Sequence, residues 1–98
     1  MQVQVRLFSI LRECLPPPAV RNRATVELSE GARLTDLITH LGIDRRLGYA
    51  AADLSDKAGW QVLINGNYEA DLQRILHDGD QVQIFPPVAG GSEGEWKP

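Results

Sequence analysis

Apolar and polar residues alternate from the first position of the chain. Met1, Val3, Val5 and Leu7 fall on one face of an extended segment, and Gln2, Gln4, Arg6 and Phe8 fall on the other. A period of two predicts a half-buried strand. The alternation fails from Leu11 to Arg23, where Pro16-Pro17-Pro18 excludes a helix interior or a central strand and marks a connection. It resumes with Ala24, Val26 and Leu28 set against Thr25 and Glu27, which predicts an antiparallel partner for the first strand.

After a turn at Glu30-Gly31 the period changes. Leu34, Leu37, Ile38 and Leu41 form one apolar helical stripe, and Gly42 follows as a left-handed terminator would. The helix start is weakly marked, because Arg33 stands where Ser, Thr or Asp is preferred; Asp36 in the first turn offsets this through the helix dipole. From Asp44 to Gly59 no single period holds. Within Arg45–Leu54, Ala50-Ala51-Ala52 favours a short helix and Gly48 opposes it, so a loop with possible helical turns is expected. Trp60–Ile64 reads as a strand, Asn65-Gly66-Asn67 as a tight turn, and Tyr68-Glu69-Ala70 as a short edge strand. His77–Asp80 is a further turn, and Gln81–Phe85 is the last strand, ended by Pro86 and Pro87. The order strand, strand, helix, strand, short strand, strand predicts an α+β domain, a mixed sheet of four to five strands with one main helix packed on one face.

Composition narrows the function. Ninety-eight residues at 43% hydrophobic content suffice for one core, with no repeat and no linker. Thirteen acids and ten bases are scattered without blocks, so nucleic acid is not an expected partner. The single cysteine, Cys14, excludes an internal disulfide and a cysteine-based zinc site. No apolar run approaches the roughly 18 residues of a membrane span, and Met1 leads directly into strand-like sequence, so a soluble cytoplasmic protein with no membrane partner is expected. Catalytic and metal-ligating candidates are weak. Cys14 has no base beside it, and His40 and His77 lack ligand spacing; Asp78 and Asp80 flank Gly79 as turn residues do, and Pro16-Pro17-Pro18 lacks a flanked PxxP frame.

The candidate chemistry lies at the end of the chain. Pro86, Pro87, Val88, Ala89, Gly90 and Gly91 follow the last strand. Six such residues reach at most about 20 Å; the prolines stiffen the exit and the glycines fit a narrow channel. A tail of this kind can carry a terminal carboxylate into another protein's enclosed site, where ATP converts it to an acyl-adenylate open to a sulfur or amine nucleophile. The protein would then be a carrier without catalytic residues. A plain flexible end is the alternative reading of a diglycine by itself.

The opening strand through Leu7-Phe8, Leu11-Arg12-Glu13, the helix around Asp36-Leu37, Ile64-Asn65-Gly66, Asp78-Gly79-Asp80 and the run Phe85–Gly91 together resemble the MoaD/ThiS sulfur-carrier family. The Phe-Pro-Pro-Val form is most similar to the molybdopterin-synthase small-subunit branch. The resemblance implies a ubiquitin-like β-grasp over residues 1–91, with first and last strands parallel and adjacent at the centre. It implies no bound cofactor, with ATP used by a ubiquitin-activating-type adenylyltransferase that activates Gly91 before a thiocarboxylate forms there. It further implies the molybdopterin synthase large subunit as partner, receiving the tail Pro86–Gly91. A ubiquitin-like modifier conjugated through Gly91 is the alternative within the same fold.

Residues 92–98 depart from that pattern, since a Gly91-Ser92 amide offers no carboxylate. Either a processing protease cuts the Gly91-Ser92 junction, or the extension is permanent and the protein is a binding module, or the extension is foreign to the natural chain. Strand parity also places Phe8 and Phe85 on the sheet face opposite the helix. Adjacent central strands would make them one exposed apolar partner-interface patch, unless Ile10 and the loop after it fold over them.

Overall fold

The first alternating segment forms β1 (Gln2–Leu7) and the second forms β2 (Arg23–Glu27), antiparallel from Gln2 opposite Glu27 to Arg6 opposite Arg23. In the computed structural model, which describes residues 1–87, Val3, Val5 and Leu7 are fully buried while Gln2 and Gln4 are exposed. The connection between the two strands holds an element that the sequence does not announce, a tight helical segment at Ser9–Cys14. With about three residues per turn, such a segment shows the core one narrow edge, and here only Leu11 is buried.

Helix α1 (Leu34–His40) buries Leu34, Leu37 and Ile38. Its weak start is closed from two sides: Asp36 Oδ2 accepts the Arg33 N–H at 2.8 Å, and Arg33 Nη1 donates to the Gln73 carbonyl at 2.7 Å. Gly42, at φ 77°, ends α1 and turns the chain straight into α2 (Ile43–Leu47), which Gly48 stops at φ 76°. The expected loop over Asp44–Gly59 is therefore partly helical, but the helix begins earlier and ends sooner than the Ala-rich stretch suggested. Burial decides this. Ile43 and Leu54 are the fully buried anchors, whereas Ala50 and Ala52 are exposed and the run makes only a short tight turn at Ala51–Asp53.

Strands β3 (Gln61–Ile64) and β4 (Asn67–Tyr68) are joined by Asn65 at φ 53° and Gly66 at φ 86°, the two positive values that a tight two-residue hairpin turn requires. The edge strand is shorter than the sequence suggests, although the Glu69 N–H still reaches the Val62 carbonyl at 2.9 Å. With β5 (Gln81–Phe85) the sheet order is β2-β1-β5-β3-β4, and β1 and β5 run parallel at its centre. The domain is thus α+β, five mixed strands with α1 on one face and the core between them.

The entry to β5 is pinned by Asp80, which is 7% exposed. Its carboxylate accepts the Asn65 amide at 2.9 Å and the His77 N–H at 2.8 Å, while Asn65 Oδ1 accepts the Gln81 N–H at 2.9 Å. Burial pushes the Asp80 carboxyl up. The His77 and Asn65 hydrogen bonds, with the Arg74 and His77 charges, outweigh it and hold the group below its ordinary value. Asp78 Oδ1 accepts the Gln2 N–H at 2.7 Å. Both aspartates are turn residues, as their position around Gly79 suggests.

Candidate partner surface and tail exit

Phe8 follows the last residue of β1, and Phe85 ends β5. Because the parallel register sets Leu7 against Ile84, the next residues of both strands lie side by side. Their rings stack with centroids 4.3 Å apart and planes 15° from parallel. Arg6, two positions back on the same face, places its guanidinium carbon 5.6 Å from the Phe8 centroid. Both rings are half-buried, and Ile10 keeps 42% of its surface exposed, so the loop after β1 leaves the stack partly open. The rest of this helix-free face is mostly uncharged: Gln4 on β1, Gln81 and Gln83 on β5, Gln61 and Leu63 on β3, and beyond them Tyr68 on β4.

The tail leaves from the same end of the sheet. Pro86 is half-buried, and Pro87 passes Gly59, where a Cβ would stand 3.2 Å from the proline Cβ. Gly59 also has φ +80°. A bare Cα there lets the tail hug the start of β3, a role that nothing in the local sequence pattern discloses. Val88, Ala89, Gly90, Gly91 and the Gly91-Ser92 junction lie outside the described residues.

A charged feature also escaped the sequence. Arg6 and Arg23 are register partners on β1 and β2, and Arg12 and Arg21 line a separate cleft with Ser9, Ile10 and Glu13. These arginines come from separate segments, so no charge block marks them in the chain. The remaining candidates stay apart. Cys14 is half-buried, and burial, with Glu13 adding to it and Arg46 opposing, pushes its thiol up, away from the thiolate a nucleophile needs. His40 and His77 are both exposed, and His77 Nδ1 stands 4.0 Å from Asp80 Oδ2. Among the described residues no three His, Cys, Asp or Glu side chains are grouped to hold a metal, and no helix is long and apolar enough to cross a membrane.

A mixed sheet with its first and last strands parallel at the centre, one helical layer, and a proline-led tail issuing from the central strand define a ubiquitin-like β-grasp protein. The ThiS family model matches residues 5–91, ending on the second glycine, and the chain belongs to that family. It is 32% identical over 94 residues to small archaeal modifier protein 3 of Haloferax volcanii, with 93% of this chain and all of that protein covered. It is also 32% identical over 91 residues to the molybdopterin synthase sulfur carrier subunit of Chlamydomonas reinhardtii, again 93% of this chain against the whole relative. The crystal structure of SAMP1 from Haloferax volcanii superposes with a TM-score of 0.60 at 26% identity, covering 93% of this chain and 100% of that one. The protein is therefore one of the small sulfur carriers and ubiquitin-like modifiers.

Proposed function

We propose that the protein is a sulfur carrier of the molybdopterin-synthase small-subunit type, whose reactive group is the carboxyl of Gly91 once residues 92–98 are removed. The observation that carries this reading is the family match ending on Gly91, at the end of a run that leaves central strand β5 past Gly59. Hydrolysis of the Gly91-Ser92 amide frees the carboxylate. A carboxylate oxygen then attacks the α-phosphorus of ATP in a ubiquitin-activating-type adenylyltransferase, releasing pyrophosphate. Hydrosulfide, as the sulfur nucleophile, next attacks the acyl carbon and expels AMP, and loss of its proton leaves a thiocarboxylate. The tail enters the large subunit of molybdopterin synthase while the Phe8/Phe85 surface docks outside. The domain orients and delivers; catalysis belongs to its partners.

The test is the state of the chain in its own cells and in a reconstituted activation. Intact mass should show a chain ending at Gly91, a fraction of it with sulfur in place of oxygen. With the activating enzyme and MgATP, the chain cut at Gly91 should support pyrophosphate exchange, and the 98-residue chain should not. Only full-length protein in cells actively making the cofactor sinks the proposal.

The likeness to a small archaeal modifier supports a second reading, an amine in place of sulfur as the nucleophile. Lysine side chains of other proteins joined to Gly91, found by peptide mass spectrometry, would establish that branch. Their absence, together with restored molybdopterin formation by the thiocarboxylate and the large subunit, would reject it.

A further inference from the structure

Asn65 is the one asparagine in the chain that precedes a glycine. That dipeptide is chemically fragile. The backbone nitrogen of the following residue can attack the asparagine side-chain carbon, closing a five-membered imide and expelling ammonia, and glycine hinders this least because it carries no side chain. Water then opens the ring at either carbonyl, leaving aspartate or an isoaspartate whose backbone runs through the former side chain. Water is the one co-reactant.

In the folded domain this carboxamide is not free to close. Its Nδ2 donates to Asp80 Oδ1 at 2.9 Å, its Oδ1 accepts the Gln81 N–H at 2.9 Å, and the Asn65 N–H donates to the Gln81 carbonyl at 2.8 Å. Ring closure draws the carboxamide carbon onto the Gly66 nitrogen, so both side-chain bonds to the entry of β5 must break first. Once it has occurred, the match is lost. A carboxylate is an acceptor only, so an aspartate at this position would set two carboxylates at hydrogen-bond distance, one of them the 7% exposed Asp80, where both cannot comfortably ionise. The cations facing Asp80 are His77 and Arg74. Exposed His77 holds its Nδ1 4.0 Å away and Arg74 is already paired with Glu69 at 3.1 Å, so neither replaces the lost donor. Isoaspartate does further harm, because it lengthens the backbone of a two-residue turn whose positive φ values set the β3–β4 register.

We propose that Asn65 is a deamidation site held in check by Asp80, which makes the clamp at the entry to β5 a one-way fastening. Opened long enough for the imide to form, it cannot close again. The loss falls on the central strand that continues into the tail, so this residue sets a chemical lifetime for the domain without any protease. The inference stands on the geometry of the clamp and not on what the tail delivers.

The test follows the protein by peptide mass spectrometry in mildly alkaline buffer, reading the replacement of the Asn65 amide by a hydroxyl. Expected is slow conversion in the folded protein against rapid conversion in a synthetic peptide of residues 61–70. Asp80→Ala should speed conversion in the protein by about tenfold or more, as loss of a hydrogen bond to a charged group implies. Ile38→Val, which trims the buried core and leaves the clamp intact, should leave the rate nearly unchanged. A second pair of variants reads the aftermath directly. Asn65→Asp should lower the urea midpoint at neutral pH. Its facing carboxyls bind a proton that the unfolded chain has released, so the deficit should narrow as pH falls. Adding Asp80→Asn, which returns a donor to the pair, should restore most of the midpoint. Conversion in the folded protein at the peptide's rate would overturn the proposal, as would Asp80→Ala converting no faster than Ile38→Val. An Asn65→Asp chain as stable as the parent at every pH would overturn it too, and that reading survives even if Asp80→Ala does not fold. None of these measurements involves activation or sulfur transfer, so failure of the carrier reading leaves a different record.

Discussion

Phe8 and Phe85 are held face to face by backbone register and stay half-buried, so a change at Phe8 should leave the sheet standing. Stacked aromatic pairs contribute about 0.5–1.5 kcal/mol beyond area burial. Phe8→Asp is expected to lower stability modestly, leave the far-ultraviolet circular dichroism unchanged, and weaken binding to a large synthase subunit by more than about tenfold, as loss of an interface anchor does. Collapse of the fold in the same variant would show that the rings are structural. Gly59 is the opposite case, a residue without a side chain that cannot acquire one. At φ +80° with Pro87 3.2 Å from the position of a Cβ, Gly59→Ala meets strain and contact together. The expected cost is about 1–2 kcal/mol from the left-handed backbone, a fall in melting temperature of about 4–16 °C for a domain this size. Displaced Pro86 and Pro87 resonances should accompany it.

At the scale of elements, β5 is the strand on which the tail depends, and the Asn65–Asp80 clamp sets where it begins. The Asp80 carboxyl lies below its ordinary value in the folded state. Its charged form therefore stabilises the fold fully above the ordinary carboxyl value of about 3.9, and that contribution is lost as pH falls through the lowered folded value. Asp80→Asn should flatten the acid limb of a stability-versus-pH curve measured by urea unfolding. Asp80→Ala leaves the His77 N–H and the Asn65 amide without their acceptor and should cost about 1–3 kcal/mol. The strands and α1 could be read from the sequence because each buries one face at a regular period, and the diglycine run because its residues are contiguous. The pairing of Phe8 with Phe85 follows from parity together with the parallel first and last strands that the family resemblance implies. The Ser9–Cys14 turns could not be read, and the helical turns expected within Arg45–Leu54 could not be placed, since Leu11 alone anchors the first and Ile43 alone anchors α2, and no period results. The Arg6–Arg23 pair and the Gly59–Pro87 contact are hidden for a related reason: both are made by segments that meet only when the chain is folded.

For the whole molecule, one shared core supports everything that the surface does. Leu37 is fully buried between α1 and the sheet, and Leu37→Ala should cost about 2–5 kcal/mol, enough to threaten a domain whose total is of order 5–15 kcal/mol. Thermal melting of this variant and of Phe8→Asp separates the two layers of the design, since the first should lose stability and the second chiefly its partner.

The central parallel pair has a mechanical meaning as well. The first residues of β1 and the last of β5 lie at opposite ends of adjacent parallel strands, and β5 is bonded on both sides, to β1 and to β3. Tension drawn along the tail against the start of the chain therefore loads the β1–β5 ladder in shear, its bonds together, instead of opening them one at a time like a zipper. An enzyme that pulls the end of this chain into its channel would feel a stiff anchor behind a short leash, and would receive the tail without unravelling the domain that carries it.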